Sequence, residues 1–302
     1  MATTGKKAIL TALFANLGIA IAKFLGFFVT QSSSMLAEGV HSMADSANQS
    51  LLLLGSKRAK RAPTDKHPFG YGRERYFWSF LVSLVLFSMG SLFAIYEGIK
   101  KLRHPHEVNN ISWAIGILCF GIVLEAISFR IAVAEANTIR EGKSWPKFIL
   151  RSKQPEIPVV LLEDAGALIG LVVALTAVSL AKFTEEARWD GAGTLTIGIL
   201  LGLIAVFLAK EMHSLLIGES VVESDRLKII ESIESSEHVE ELVKLRTQHL
   251  APDEILIGAQ VLFKENLTIK ETSAVINELE AQIRKNLPEA GPIFIDPETE
   301  NF

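Results

Sequence analysis

Residues 157–181 read IPVVLLEDAGALIGLVVALTAVSLA, and Glu163 and Asp164 are the only charged residues in this stretch. A helix rises 1.5 Å per residue, so about 20 apolar residues cross the hydrocarbon core of a bilayer. The stretch therefore predicts a transmembrane helix. Similar apolar runs lie at 8–30, 33–55, 77–99, 112–134 and 191–210. Together the six runs predict six transmembrane helices.

The composition excludes several classes of protein. The chain has 302 residues, of which 49% are hydrophobic and 21% charged, and its mean hydropathy is +0.32. These values exclude a purely soluble enzyme and a disordered protein. The single cysteine, Cys119, excludes an intrachain disulfide scaffold. The net charge of −4 argues against a nucleic-acid partner.

Basic residues predict the orientation in the lipid bilayer. They concentrate before the first apolar run and in the loops 56–76 and 135–156, with fewer in the other connections. The positive-inside rule then places both termini and the C-terminal domain in the cytoplasm. The first apolar run is long for a signal peptide, and no targeting presequence precedes it. We therefore expect a prokaryotic inner membrane, with an organelle membrane of a eukaryotic cell as the alternative.

After Gly218 the composition becomes that of a soluble domain. Its elements are predicted as a helix (221–235), two strands (239–247 and 255–264), a helix (268–287) and a short strand (293–295). Thr268 and Glu271 have capping-box spacing at the second helix. The αββαβ order predicts a small ferredoxin-like α/β domain. The expected division is a six-helix transmembrane domain, 1–217, and a cytoplasmic domain, 218–302, whose small core favours pairing into a homodimer.

A polar stripe interrupts the second apolar run. Glu38, His41, Asp45 and Asn48 are spaced three, four and three residues apart, which places them on one helix face. An ionised side chain at the bilayer centre costs roughly 2.5–3.5 kcal/mol, so such groups are functional candidates. An imidazole with carboxylates suits a divalent first-row metal.

Other spans also carry ionisable residues. Glu163 and Asp164 point about 100° apart on the fifth span, so one site does not reach both equally. Glu125 lies in the fourth span and Lys23 in the first. Lys23 is expected to snorkel or to pair with a carboxylate. Glu125 and Glu163 remain open as partners of cations or as proton carriers.

Three function classes compete: a metal transporter, an intramembrane metalloenzyme, and a membrane-anchored sensor or scaffold. The pair Glu38-x-x-His41 has the spacing found in di-iron bundles, but these need a second such motif, which the spans lack. The protease motif His-Glu-x-x-His is also absent. A sensor built on the soluble domain leaves the polar stripe unexplained. We therefore do not expect an enzyme.

The motif Leu36-Ala37-Glu38 with His41-x-x-x-Asp45 and the motif His67-Pro68-Phe69-Gly70-Tyr71-Gly72 resemble those of cation diffusion facilitators. Within that family, three stretches resemble the zinc transporter 9-like branch: Glu38-Gly39-Val40-His41-Ser42 with Asn48-Gln49, Val160-Leu161-Leu162-Glu163-Asp164, and Trp145 to Lys153. The resemblance implies a homodimeric exporter of divalent cations that exchanges them for protons by alternating access. Zn²⁺ is the expected cargo, with Mn²⁺, Fe²⁺ or Co²⁺ as alternatives, and no resident cofactor is expected.

The resemblance also implies a metal site. In the family it joins two residues of the second span to two of the fifth, which correspond here to His41, Asp45, Asp164 and Val160. Val160 cannot ligate a metal. Glu38 is the first candidate for the missing ligand, and Glu163 and Glu125 follow as metal or proton-coupling residues. The strands of the C-terminal domain hold no interior histidine, so dimerisation is its expected role.

Overall fold

The computed structural model describes residues 17–105, 110–140, 142, 144–265 and 267–298. They belong to two compact units. The first contains the chain up to Arg58 together with Phe77–His213, and the second contains Ala59–Tyr76 and the chain from Ser214 onward. The division at residue 218 stays a prediction, and the loop 59–76, which it assigned to the first domain, groups with the second unit.

Long helices form the first unit, in the order that the apolar runs predict. They are α1 (Leu17–Thr30), α2 (Ser33–Ala59), α3 (Glu74–Val85), a π-helical segment (Leu86–Leu92), α4 (Phe93–Arg103), α5 (Ile111–Arg140), the short α6 (Trp145–Arg151), α7 (Glu156–Thr184) and α8 (Arg188–Ile217). Among the described residues, four helices are long and apolar enough to cross a membrane: Glu74–Arg103, Ile111–Arg140, Glu156–Thr184 and Arg188–Ile217. Helix α2 has 27 residues, but its polar stripe lowers its hydropathy.

The π-helical segment lies beside the polar stripe of α2. A side chain added at Gly90 would place its Cβ 3.7 Å from Nδ1 of His41. The Ser91 hydroxyl donates a hydrogen bond of 2.8 Å to the carbonyl of Gly198 on α8. Single π-helical turns inside α-helices occur frequently at functional sites. The widened turn therefore faces the candidate residue His41.

Glycines allow α4 and α8 to pack closely. A Cβ at Gly98 would meet the backbone of Leu195, and a Cβ at Gly198 would meet the backbone of Ile95. Small residues at helix contacts let backbones approach inside a membrane. These two glycines therefore set the distance between the third and sixth spans.

The second unit contains the predicted αββαβ elements. They are α9 (Glu223–Glu234), β1 (Val239–Ala251), β2 (Glu254–Phe263), α10 (Ile269–Asn286) and β3 (Ala290–Glu298). The sheet order is β1-β2-β3, with β1 antiparallel and β3 parallel to β2. Its core includes the buried Ile229, Ile257, Val261, Leu279 and Ile283. The predicted fold class, a helical membrane domain followed by a small α/β domain, is confirmed.

The predicted cap of the second soluble helix is present. Thr268 is the N-cap of α10, its hydroxyl accepts from the backbone N–H of Glu271, and the Glu271 carboxylate accepts from the backbone N–H of Thr268. Each partner thus satisfies one otherwise unpaired N–H of the helix end. The capping-box prediction is confirmed.

Candidate functional site

The polar stripe of α2 is buried inside the first unit. Glu38, His41 and Asn48 have no exposed surface, and Asp45 is 8% exposed. Their spacing predicted a common face, and the face that carries them is turned toward the other helices. Buried polar side chains need hydrogen-bond partners, so the contacts of each one indicate its role.

His41 is the least satisfied of these side chains. Its Nδ1 atom lies 3.5 Å from Oδ1 of Asp45, one helical turn further along. Within the part of the chain that the structure describes, neither ring nitrogen has a hydrogen-bond partner. A buried polar group left in this way costs about 1–3 kcal/mol. His41 therefore presents unused ligand atoms inside the helix bundle.

Asp45 connects α2 to α7 through Glu163. The carboxyl groups of Asp45 and Glu163 lie close enough to interact. The side-chain amide of Asn48 donates to Oε1 of Glu163. This hydrogen bond also joins α2 to α7.

Asp164 faces a different helix from Glu163. Its Oδ2 accepts a 3.1 Å hydrogen bond from the hydroxyl of Ser128 on α5. The 100° between adjacent helical residues explains the split. The structure thus brings Glu163 to Asp45 and Asp164 to α5, and the set of metal ligands stays a prediction.

Glu38 is held by a lysine of the first span. Nζ of Lys23 lies 3.0 Å from Oε2 of Glu38 and donates a 2.7 Å hydrogen bond to the Ser42 hydroxyl. Both charged side chains are almost fully buried, at 2% and 0% exposed. The sequence left open whether Lys23 snorkels or pairs, and the structure shows the pair. Oε1 of Glu38 has no hydrogen-bond partner among the described residues.

The candidate ligands lie in series along α2 rather than around one point. Among the residues that the structure describes, no three His, Cys, Asp or Glu side chains converge closely enough to hold a metal ion. His41, Asp45 and Glu163 are neighbouring groups at the contact between α2 and α7, and their joint coordination of an ion stays a prediction.

A second buried cluster fixes the start of α2, and the sequence analysis missed it. The carboxylate of Asp190 accepts from the Ser32 hydroxyl (2.8 Å) and from the backbone N–H groups of Ser33 (2.8 Å) and Ser34 (3.3 Å). Nζ of Lys101 lies 3.9 Å from the same carboxylate. A carboxylate at a helix N-terminus is stabilising. The run Ser32-Ser33-Ser34 is the signal that a helix start lies here.

Comparison with known proteins connects both units to one family. The model of the cation efflux transmembrane domain matches residues 9–217, and the model of the cation efflux protein cytoplasmic domain matches residues 222–300. The human "Proton-coupled zinc antiporter SLC30A9, mitochondrial" is 31% identical over 85% of this chain and 46% of its own length. The "Metal tolerance protein C4" of Arabidopsis thaliana is 28% identical over 88% of this chain and 58% of its own.

A bacterial relative matches over more of its length. The "Cadmium, cobalt and zinc/H(+)-K(+) antiporter" of Bacillus velezensis is 23% identical over 93% of this chain and 85% of its own. By contrast, the chain spans about half the length of the human and plant relatives. The transmembrane model and the apolar helices make this a multi-pass membrane protein. With matches to both models over most of its residues, the chain belongs to the cation efflux, or cation diffusion facilitator, family.

Proposed function

We propose that this protein exports a divalent first-row cation, Zn²⁺ foremost, in exchange for protons by alternating access. The observation that carries the proposal is His41, a buried imidazole with two unpartnered nitrogens beside Asp45. The names of two relatives support the same exchange: one is a proton-coupled zinc antiporter, and the other is a cadmium, cobalt and zinc antiporter. We assign it to the transporters rather than the enzymes.

The proposed site combines His41 and Asp45 of α2 with one carboxylate of α7. We favour Glu163 for this carboxylate because it lies against Asp45, and Asp164, which the family resemblance implies, is the alternative. A neutral imidazole and two ionised carboxylates together balance the charge of a divalent cation. Position 160 contributes nothing, because its side chain is a valine's.

We propose that a proton held between Asp45 and Glu163 couples the exchange. Metal ligands must be deprotonated, so an arriving cation displaces the proton between Asp45 and Glu163. When the site opens to the other side, returning protons compete with the cation for the same oxygens and release it. Cation and proton thus occupy one site alternately, which couples their movements.

An oxygen-rich site makes manganese the second candidate. Asp45 and Glu163 supply carboxylate oxygens for a site that has the single imidazole of His41. Carboxylate and carbonyl ligands suit Mn²⁺, whereas Zn²⁺ prefers nitrogen and sulfur. Fe²⁺ and Co²⁺ remain further alternatives of the same site.

We further propose that the protein is a homodimer with both termini in the cytoplasm of a prokaryotic cell. Basic residues in the loops 56–76 and 135–156 support the orientation. The match of residues 222–300 to the cytoplasmic domain of the family supports pairing through the second unit. The bacterial relative, which the chain matches over most of both lengths, supports the choice of membrane.

Flux into proteoliposomes under an imposed pH gradient tests the function. We expect gradient-dependent Zn²⁺ flux in the wild type, and its loss in His41→Ala and Glu163→Gln. Glu156→Gln, the same change at the first turn of α7, is the matched control and should retain flux. Asp164→Ala distinguishes the two α7 carboxylates. Mn²⁺ flux without Zn²⁺ flux would change the cargo, and no flux of either from folded protein would refute transport in favour of a sensor or scaffold.

A further inference from the structure

Lys23 is a lysine buried in the middle of a transmembrane helix. It is 2% exposed, and its ammonium group contacts Glu38 at 3.0 Å and Ser42 at 2.7 Å. Ionisable residues inside transmembrane segments are rare, and they are retained where they pair with another group or serve a function. The proposed exchange of cation for protons does not use Lys23, so its role needs another explanation.

Lys23 contacts the turn of α2 that carries the candidate imidazole. Glu38 lies three residues before His41, and Ser42 follows it directly. Lys23 also lies against α5, because a Cβ added at Gly121 would be 3.9 Å from its Cε atom. The ammonium group therefore sits among three helices, next to the place where a cation is proposed to bind.

The carboxylate of Glu38 already has a partner on the side that faces α1. Its Oε2 atom is bound to Lys23, and its Oε1 atom lies against Gly170 of α7, where a Cβ would leave it no room. The sequence made Glu38 the first candidate for the missing fourth ligand. In the structure its charge is already compensated by a residue of the protein.

We infer that Lys23 is a fixed counter-cation that keeps Glu38 out of the coordination of the transported ion and limits the site to two uncompensated negative charges. This inference rests on the proposed function, and it assigns Lys23 as a determinant of the affinity for the transported cation. Lys23 and Glu38 cancel each other, so Asp45 and Glu163, when ionised, match one divalent cation. Without Lys23, the extra carboxylate would hold the cation too tightly for release.

A double-mutant cycle on Zn²⁺ binding tests the inference with the purified full chain. Lys23→Met keeps the length of the side chain and removes its charge. It should tighten Zn²⁺ binding about tenfold, because Glu38 is then uncompensated. Glu38→Gln should weaken binding about tenfold, since the ammonium group is then uncompensated. The double variant should return to within about twofold of the wild type.

The double variant separates a counter-ion from a ligand. If Glu38 binds the ion directly, Glu38→Gln weakens binding with or without Lys23, and the double variant stays weak. That result would overturn the inference. Lys23→Arg, which keeps the charge, should keep wild-type affinity, and a loss of affinity there would also count against it.

Zn²⁺ flux provides a second measurement, which a purely structural role of Lys23 would not change in the same way. Lys23→Met should lower both the KM and the maximal flux, because a more tightly held ion leaves more slowly. Lys101→Met is the matched control, since Lys101 is equally buried but lies beside Asp190. It should lower the thermal unfolding midpoint and leave Zn²⁺ affinity unchanged.

The failures of the two proposals are distinguishable. Wild-type flux with all Lys23 and Glu38 variants at wild-type affinity would overturn the counter-cation and keep the transporter. Conversely, the expected pattern of affinities without flux of Zn²⁺ or Mn²⁺ in the wild type would overturn transport and keep the counter-cation.

Discussion

At the scale of single residues, the candidate site contains buried polar groups that lower the stability of the folded protein and are suited to bind an ion. Both ring nitrogens of His41 are buried without hydrogen bonds among the described residues, and Oδ1 of Asp45 is in the same condition. Such groups cost free energy in the folded protein unless a ligand uses them. An ion that binds there supplies the missing partner, so the cost and the function have one origin.

His41→Leu should therefore raise the stability of the metal-free protein while it abolishes transport. Removal of the two unpartnered nitrogens should gain about 1–3 kcal/mol, seen as a higher thermal unfolding midpoint in detergent. Ser79→Ala is the control, because the Ser79 hydroxyl is also buried without a partner among the described residues but lies outside the polar stripe. It should gain stability with full flux. A His41→Leu variant that is less stable than the wild type would contradict the prediction.

At the scale of helices and strands, the sequence predicted the features that depend on residues close together along the chain. Long apolar runs, strand patterns and the Thr268–Glu271 spacing are local signals, and the helices, strands and capping box they predicted are present. Contacts between helices depend on how each helix is rotated, which one sequence does not reveal. For this reason the pairing of Glu163 with Asp45, the Lys23–Glu38 pair and the Asp190 cluster came only from the structure.

The close packing of α4 against α8 makes a second prediction. Gly98→Ala should destabilise the protein by about 1–3 kcal/mol, because its Cβ would clash with the backbone of Leu195. Gly116→Ala in α5 is the matched control, since a Cβ there meets no atom within 4 Å. It should stabilise the helix by about 0.5–1 kcal/mol. Thermal unfolding of both variants measures the contrast, and equal midpoints would contradict it.

The capping box of α10 makes a third prediction. Thr268→Ala should cost about 1 kcal/mol of local stability, measured as faster hydrogen exchange in the first turn of α10 in the full chain. Hydrogen bonds from Thr268 hold the pKa of Glu271 below its usual value. The pKa of Glu271 is lower in the folded state than in the unfolded state. The stabilisation by the capping box is therefore present at neutral pH, and it is lost as the pH falls through the folded-state pKa of Glu271. Thr272→Ala, one turn later, should leave exchange in the first turn nearly unchanged.

At the scale of the whole molecule, the charges divide into two kinds with different tasks. Two buried pairs, Lys23 with Glu38 and Lys101 with Asp190, lie inside the helix bundle. The basic residues of the loops 56–76 and 135–156 are proposed to set the orientation through the positive-inside rule. Direction of transport follows from orientation, since a site that loads from the cytoplasm exports and an inverted one imports.

Labelling of introduced cysteines tests the orientation, and the chain suits this because Cys119 is its single cysteine. In a Cys119→Ser background, Glu186→Cys probes the connection between α7 and α8, and Ser144→Cys probes the loop before α6; both positions are exposed. The positive-inside rule predicts that a membrane-impermeant maleimide labels the first variant in intact cells and the second only after permeabilisation. The basic residues around Ser144 resist translocation, whereas the connection at Glu186 carries few. The reverse pattern would invert the protein in its membrane, and the proposed efflux would have to be replaced by uptake.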